Sequence, residues 1–207
     1  CETHSNPGHM TVTLFGHNSS WAMCPILRAG GVDFAVRKPP FEIETSFIAP
    51  GDDAAWNLWW NVGMFDKAKK FHQWQPGLKF IPGKGVRFFD VFNVEPDQVS
   101  RNRELNLQFA AGFPKLPVGG KPIGMLIQIP DADHLRVGFR RDARSPWVFS
   151  SPFDAGKAFG GIAKFAYPCL VSFTGRGVGG KGWGSGNYPG FQKFRIDYVR
   201  FHYGLTK

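Results

Sequence analysis

Apolar and polar positions alternate along this chain in short runs. In 191–203, Phe194, Ile196 and Tyr198 alternate with Arg195, Asp197 and Val199. That period of two gives one apolar and one mostly polar face, as a strand covering a core on one side requires. Similar stretches rich in Val, Ile, Phe and Trp predict strands over 41–48, 56–62, 87–94, 104–110, 124–129, 134–139 and 169–174. A shorter strand is expected over 11–15, inside a polar arm formed by residues 1–20 that carries His4, His9 and His17. Gly and Pro separate the runs, no long amphipathic helix stands out, and the pattern is that of an all-β sandwich with many turns. We therefore expect a single domain over 21–207, with no internal repeat. The one low-complexity stretch, 175–190, is expected as a long glycine-rich loop between two strands.

Composition agrees with a packed core. The 207 residues are 43% hydrophobic and 15% aromatic, including 21 Phe and 7 Trp, and only 20% are charged, which argues against wholesale disorder. No run approaches the roughly 18 apolar residues of a membrane-spanning helix, and the first residues lack the pattern of a signal peptide. Cys1, Cys24 and Cys169 are too few for a disulfide scaffold and lack the paired spacings of a zinc site. A Cys24–Cys169 bridge and buried free thiols both remain open. The Asn18-Ser19-Ser20 sequon mildly favours a secreted protein.

The net charge of +9 raises the question of nucleic acid. The basic residues fall in separate clusters, Arg136, Arg140, Arg141 and Arg144 in one and Lys67, Lys69 and Lys70 in another, without a basic tail or an RNA-binding fingerprint. Such clusters suit an acidic polysaccharide equally well, because carboxylate and sulfate bind Arg through charge-assisted hydrogen bonds. The G-x-x-x-x-G-K match from Gly175 to Lys181 is not a phosphate-binding loop: Gly182 follows instead of Ser or Thr, and no helix can begin in Trp-Gly-Ser-Gly. His4, His9 and His17 lack metal-ligand spacing, and no nucleophile-elbow motif occurs.

The tryptophans offer candidate chemistry. Trp56, Trp59 and Trp60 lie in or beside one strand, Trp74 follows in a polar loop, and Trp183 sits among glycines that leave little mass to cover it. Adjacent Trp59 and Trp60 must face opposite sides of a strand, so one can fill the core while the other lines a surface. An exposed indole provides a platform for a sugar ring.

Four segments, in order, resemble the laminarinase and agarase-like glycoside hydrolases of family 16. They are Phe41 to Asp52 followed by Ala55 to Trp60, Ile129 to Val137, Pro168 to Gly180, and Ile196 to Phe201. The resemblance implies a concanavalin A-like β-jelly-roll of two antiparallel sheets. It also implies a catalytic strand of the form E-x-D-x-x-E or E-x-D-x-E, whose outer carboxylates cleave the sugar linkage. Here that strand reads Phe88-Phe89-Asp90-Val91-Phe92-Asn93, in which only Asp90 is retained, with Glu95 two residues beyond. A phenyl ring and an amide cannot replace the carboxyl pair. Where the family carries a structural calcium ion, the resemblance puts Asp197 at the ligand position; the other ligands are not recognisable.

Alginate-lyase jelly-rolls are a second, more distant likeness. Arg101-Asn102-Arg103-Glu104-Leu105 resembles their R-S-E-L-R element, and Gln128 the first residue of Q-I-H, with Pro130 at the histidine position. Their Y-F-K-A-G-x-Y element is absent, although Tyr188, Lys193 and Tyr198 can supply an acid or a base. In such a lyase, Arg and Gln neutralise a uronate carboxylate while Tyr or His removes the C5 proton. Glu42 and Glu44 share a strand face at i, i+2 and read as ordinary exposed acids.

The leading expectation is a lectin-like protein that binds a polysaccharide, neutral or acidic, in a concave aromatic groove without the family's hydrolysis. Its walls are expected from Trp59 or Trp60, Trp74, Trp183 and Tyr188, with Arg87, Asp90, Asn93 and Arg103 hydrogen-bonding sugar hydroxyls or acidic groups. The alternative is an active enzyme, either a lyase on acidic glycan or an atypical glycosidase using Asp90 and Glu95. A third reading is a structural jelly-roll shell protein.

Overall fold

The computed structural model describes residues 10–15, 22–23, 39–49, 56–94, 107–174 and 191–203. In β3 (Phe41–Ile48), Phe41, Ile43, Thr45 and Phe47 turn inward, and Glu42, Glu44, Ser46 and Ile48 turn outward. The alternation follows from the opposite direction of successive side chains in a strand. Flanking strands repeat it. Ile123, Met125, Ile127 and Ile129 of β7 (Pro122–Ile129) are buried, as are Leu135, Val137 and Phe139 of β8 (His134–Arg140) and Phe194 and Ile196 of β12 (Phe191–Tyr203). With β1 (Met10–Phe15) and the two-residue strands β9 (Val148–Phe149) and β10 (Phe153–Asp154), these form a seven-stranded antiparallel sheet. Its order is β1-β12-β3-β7-β8-β10, and β9 also pairs with β8.

The second sheet has five strands in the order β2-β11-β4-β5-β6: β2 (Ala22–Met23), β4 (Trp56–Asp66), β5 (Phe71–Ile81), β6 (Gly85–Val94) and β11 (Ile162–Thr174). Trp56, Leu58, Trp60, Val62 and Met64 of β4 and Trp74, Leu78 and Phe80 of β5 meet the inner residues of the larger sheet in one core. Trp56, for example, packs edge-on to Phe194 across the sheets, with ring centroids 5.7 Å apart. The result is a concanavalin-like jelly-roll sandwich, as expected. A short helix, α1 (Ala155–Phe159), is capped by Asp154, which accepts a hydrogen bond from the Lys157 amide at 2.7 Å.

Several predicted strands recur with the expected bounds or nearly so. Two local expectations fail. The stretch 71–81 is a full strand rather than the loop expected around Trp74. The interruption by Pro76 is accommodated because pairing with β4 lapses between Trp59–Gly77 and Val62–Trp74, so the absent amide is not missed there. The strand expected over 104–110 is reduced, among the described residues, to a single bridge between Phe109 and Ser150.

Candidate functional site

The outer face of the seven-stranded sheet carries a set of interlocked polar side chains. Antiparallel register aligns them in rows across β12, β3, β7 and β8. His202, Glu42, Gln128 and Arg136 form one row, Arg200, Glu44, Leu126 and Gly138 the next, and Tyr198, Ser46, Gly124 and Arg140 the third. Adjacent members of a row are set by the strand spacing of about 4.8 Å. A β-bulge between Ile196 and Tyr198 turns Tyr198 to this outer face, whereas Phe194 and Ile196 point inward.

Arg140 reaches back from β8 over Gly124 of β7. Its Nη2 donates to Glu44 Oε1 at 2.7 Å and to Tyr198 Oη at 3.1 Å. The reach requires a glycine beneath it: a Cβ on Gly124 would lie 2.6 Å from Arg140 Cγ and 3.1 Å from the Trp147 ring. Trp147 covers the guanidinium from the other side, 4.4 Å from its ring centroid. Tyr198 in turn donates to Glu44 Oε1 at 2.8 Å, and His202 Nε2 lies 3.3 Å from Glu44 Oε2. Glu44 therefore joins a phenol and an imidazole through its two oxygens.

The first row makes a second network. Gln128 donates to Glu42 and accepts from Arg136 Nε at 2.5 Å, and the Arg136 guanidinium lies 4.4 Å from the Phe149 ring centroid. Phe149 lies over Gly138, where a Cβ would come within 2.6 Å of the ring. Arg200 stacks on Tyr198 at 4.0 Å. With Arg136, Arg140 and Arg200 set against Glu42 and Glu44, the face has a surplus of positive charge.

Burial acts to raise the Glu44 carboxyl, but hydrogen bonds from Tyr198 and His202 and the Arg140 charge outweigh it, and the group is held below its usual range. Burial and the neighbouring Glu44 push the Tyr198 phenol upward against the opposing effect of Arg140. Tyr198 is thus a protonated donor at neutral pH and Glu44 an ionised acceptor. With its Nε2 toward Glu44, His202 turns Nδ1, its second ring nitrogen, the other way.

The residues expected to line the aromatic groove or to act as its carboxylates fall elsewhere. Trp60 and Trp74, expected as groove walls, are 2% and 0% exposed within the core, because alternation in β4 and β5 turns them toward the larger sheet. Trp59 faces the other way but is also only 2% exposed, packed over Gly77 and edge-on to Phe89. None of these three presents an open stacking face. Asp90 is 3% exposed and sits opposite Pro76 on the inward-facing register of β6, so it does not stand on an open cleft as a catalytic carboxylate must. Arg87 is exposed on β6, in the smaller sheet, and Asn93 lies farther along that strand. Glu95, Arg103, Trp183 and Tyr188 lie outside the described residues, as do Cys1 and Cys24. Asp197 lies at the β12 bulge, and among the described residues no group of three or more His, Cys, Asp or Glu is arranged to hold a metal ion.

Sequence reasoning had named Tyr198, Gln128, the Glu42/Glu44 pair and the arginine cluster singly. It missed that they form one site, read His202 in its strand as structural, and missed the aromatic covers Trp147 and Phe149.

No protein-family model matches the sequence, and no curated protein matches it. Among solved structures, the chain is similar to alginate lyase Aly36B in complex with an alginate tetrasaccharide, at 13% identity and a TM-score of 0.51, over 95% of this chain and 81% of that one. A second structure of the same lyase matches at 12% identity and a TM-score of 0.50, with the same coverage. At such identities the likeness establishes the shared fold. The β-porphyranase BpGH16B from the human gut bacterium Bacteroides plebeius is more distant, at 9% identity and a TM-score of 0.37 over 81% of this chain and 65% of that one. No helix among the described residues is long and apolar enough to cross a membrane.

Proposed function

We propose that this protein cleaves an acidic, uronate-bearing polysaccharide by β-elimination on the outer face of the seven-stranded sheet. The observation that carries the reading is the Tyr198–Glu44–His202 arrangement with Arg140 against the phenol. Arg136 and Gln128 neutralise the sugar carboxylate, which acidifies the proton at C5. His202 Nδ1 takes that proton, the electron pair forms the C4–C5 double bond, and the C4–O4 bond breaks. Tyr198 donates its proton to the departing O4. Glu44, bonded to both groups, carries the Nε2 proton of the imidazolium to the phenolate, which Arg140 meanwhile stabilises, and the Nδ1 proton exchanges back to Nε2 through water.

Hydrolysis is less well supported. A retaining glycosidase needs one carboxyl protonated as an acid. Glu44 is held ionised, Glu42 is bonded to Gln128, and Asp90 is enclosed. The fold shared with an alginate lyase, and the surplus of guanidinium on the face, agree with an acidic substrate.

The test is incubation with polyuronates and with neutral glycans while following ultraviolet absorbance of the unsaturated product and new reducing ends. Both signals should appear on polyuronate, and Tyr198→Phe should lower turnover by about 10²–10⁴-fold without unfolding the protein. Reducing ends without the ultraviolet signal would replace the lyase with a hydrolase. Binding without either product would return the protein to a lectin-like role.

A further inference from the structure

On the other sheet, Lys79 of β5 and Arg87 of β6 are paired directly across an antiparallel ladder. Like charges in that position repel, because their Cβ atoms are only about 5 Å apart. Among the described residues neither has an acidic partner, although the chain places Asp and Glu against cations elsewhere, at Arg140–Glu44 and Arg141–Asp142. The two residues also line a cavity of about 440 Å³ whose remaining walls are Phe88, Leu107, Gln108, Phe109, Gly112 and Phe113. Phe109 stands edge-on to both Phe88 and Phe113, with ring centroids 5.2 Å apart in each case. The volume lies in the range of small-molecule sites, and the lining combines three phenylalanine rings with two cations.

We propose that this cavity binds a small organic anion, its carboxylate or sulfate group between Lys79 and Arg87 and its ring body against Phe109 and Phe113. The bound anion relieves the repulsion between the paired cations, and the aromatic rings withdraw its apolar surface from water. The site lies on the five-stranded sheet and does not depend on the lyase reading.

Anilinonaphthalene sulfonate, a fluorescent aromatic sulfonate, is the probe. The full chain should enhance and blue-shift its emission, and the Lys79→Gln, Arg87→Gln double variant should bind it about tenfold more weakly or less, the loss expected for charge-assisted hydrogen bonds. The same variant should unfold at no lower temperature than the parent, since it removes a repulsion; a purely structural role for the two cations would lower the midpoint. Competition by benzoate or by glucuronate separates an aryl acid from an acidic sugar as the source of the anion, and competition by either supports the site. Unchanged probe binding in the double variant, failure of both competitors, or loss of binding in Arg136→Gln instead would overturn the proposal.

Discussion

On the five-stranded sheet, Trp56, Trp60 and Trp74 turn inward and are sealed against the other layer, whereas on the seven-stranded sheet Arg136 and Arg140 turn outward and are held by partners on three neighbouring strands. The first arrangement gives stability. The second gives a preorganised polar surface, because each guanidinium is fixed between an aromatic ring and an acceptor rather than left to sample solvent. Large aromatics are weak indicators of a binding face when a small sandwich needs them as core. Charged side chains that converge from several strands are stronger ones, since desolvating them without function has little to recommend it.

The comparison breaks most visibly at Trp60. Trp60→Ala removes a fully enclosed indole and should cost about 3–5 kcal/mol, read as a large fall in the denaturant midpoint. Were Trp60 a sugar platform, stability would hold and only glycan affinity would drop. Trp74→Ala should behave in the same way.

Much of the fold was legible in the sequence, and much of the site was not, for one physical reason. The alternation of Phe41 to Ile48 and of Phe191 to Tyr203 is local, so the bounds of β3 and β12 could be read directly. β5 was obscured because His72, Gln73, Gln75, Pro76 and Gly77 leave Trp74 as the one large apolar residue between Phe71 and Leu78, and only the lapse in pairing beside Pro76 makes the strand workable. The site depends on β12 lying beside β3 and β3 beside β7, contacts that separate Glu44 from Tyr198 by 154 residues and from Arg140 by 96. No spacing rule reaches that far. Gly124 and Gly138 gave no signal either, since a strand glycine announces a close approach without naming what approaches.

Gly124→Ala sharpens the contrast from the polar side. The added methyl collides with Arg140 and Trp147 and should cost about 1–3 kcal/mol of stability. Its larger consequence is displacement of Arg140 from Tyr198, with turnover on polyuronate falling by up to about 10²-fold, as small misplacements in a catalytic constellation do. Unaltered turnover would mean that Arg140 acts from some other position.

Acid should separate the two regions as well. Asp66, at the end of β4, accepts from His72 Nε2 at 2.7 Å and from the Lys70 amide at 2.9 Å, and His72 stacks on Phe159 of α1. Burial tends to raise the Asp66 carboxyl, but these bonds more than compensate and hold it below its ordinary value. A carboxyl depressed by folding stabilises the native state above its unfolded pKa, and that contribution is lost as pH falls through the folded value. Stability should therefore decline below about pH 4, and Asp66→Asn should flatten the decline while lowering the neutral-pH stability by about 1–3 kcal/mol. Parallel urea titrations at pH 7 and pH 3 measure both effects.

The smallest expected effect is at Arg141, and it is the most discriminating for the site. Arg140 and Arg141 are one basic cluster in the sequence, yet successive strand-end residues part company: Arg140 folds back over Gly124, and Arg141, among the described residues, pairs only with Asp142 and Ser145 at the surface, 3.3 and 3.2 Å away. Its side chain is 69% exposed, so the ion pair is screened and contributes little. Arg141→Gln should change stability by less than about 0.5 kcal/mol and leave turnover intact. Arg140→Gln should abolish most of the turnover. If the two variants instead lost activity in parallel, the face would be acting through diffuse positive charge, and the ordered bonds among Arg140, Glu44 and Tyr198 would not be the source of its chemistry.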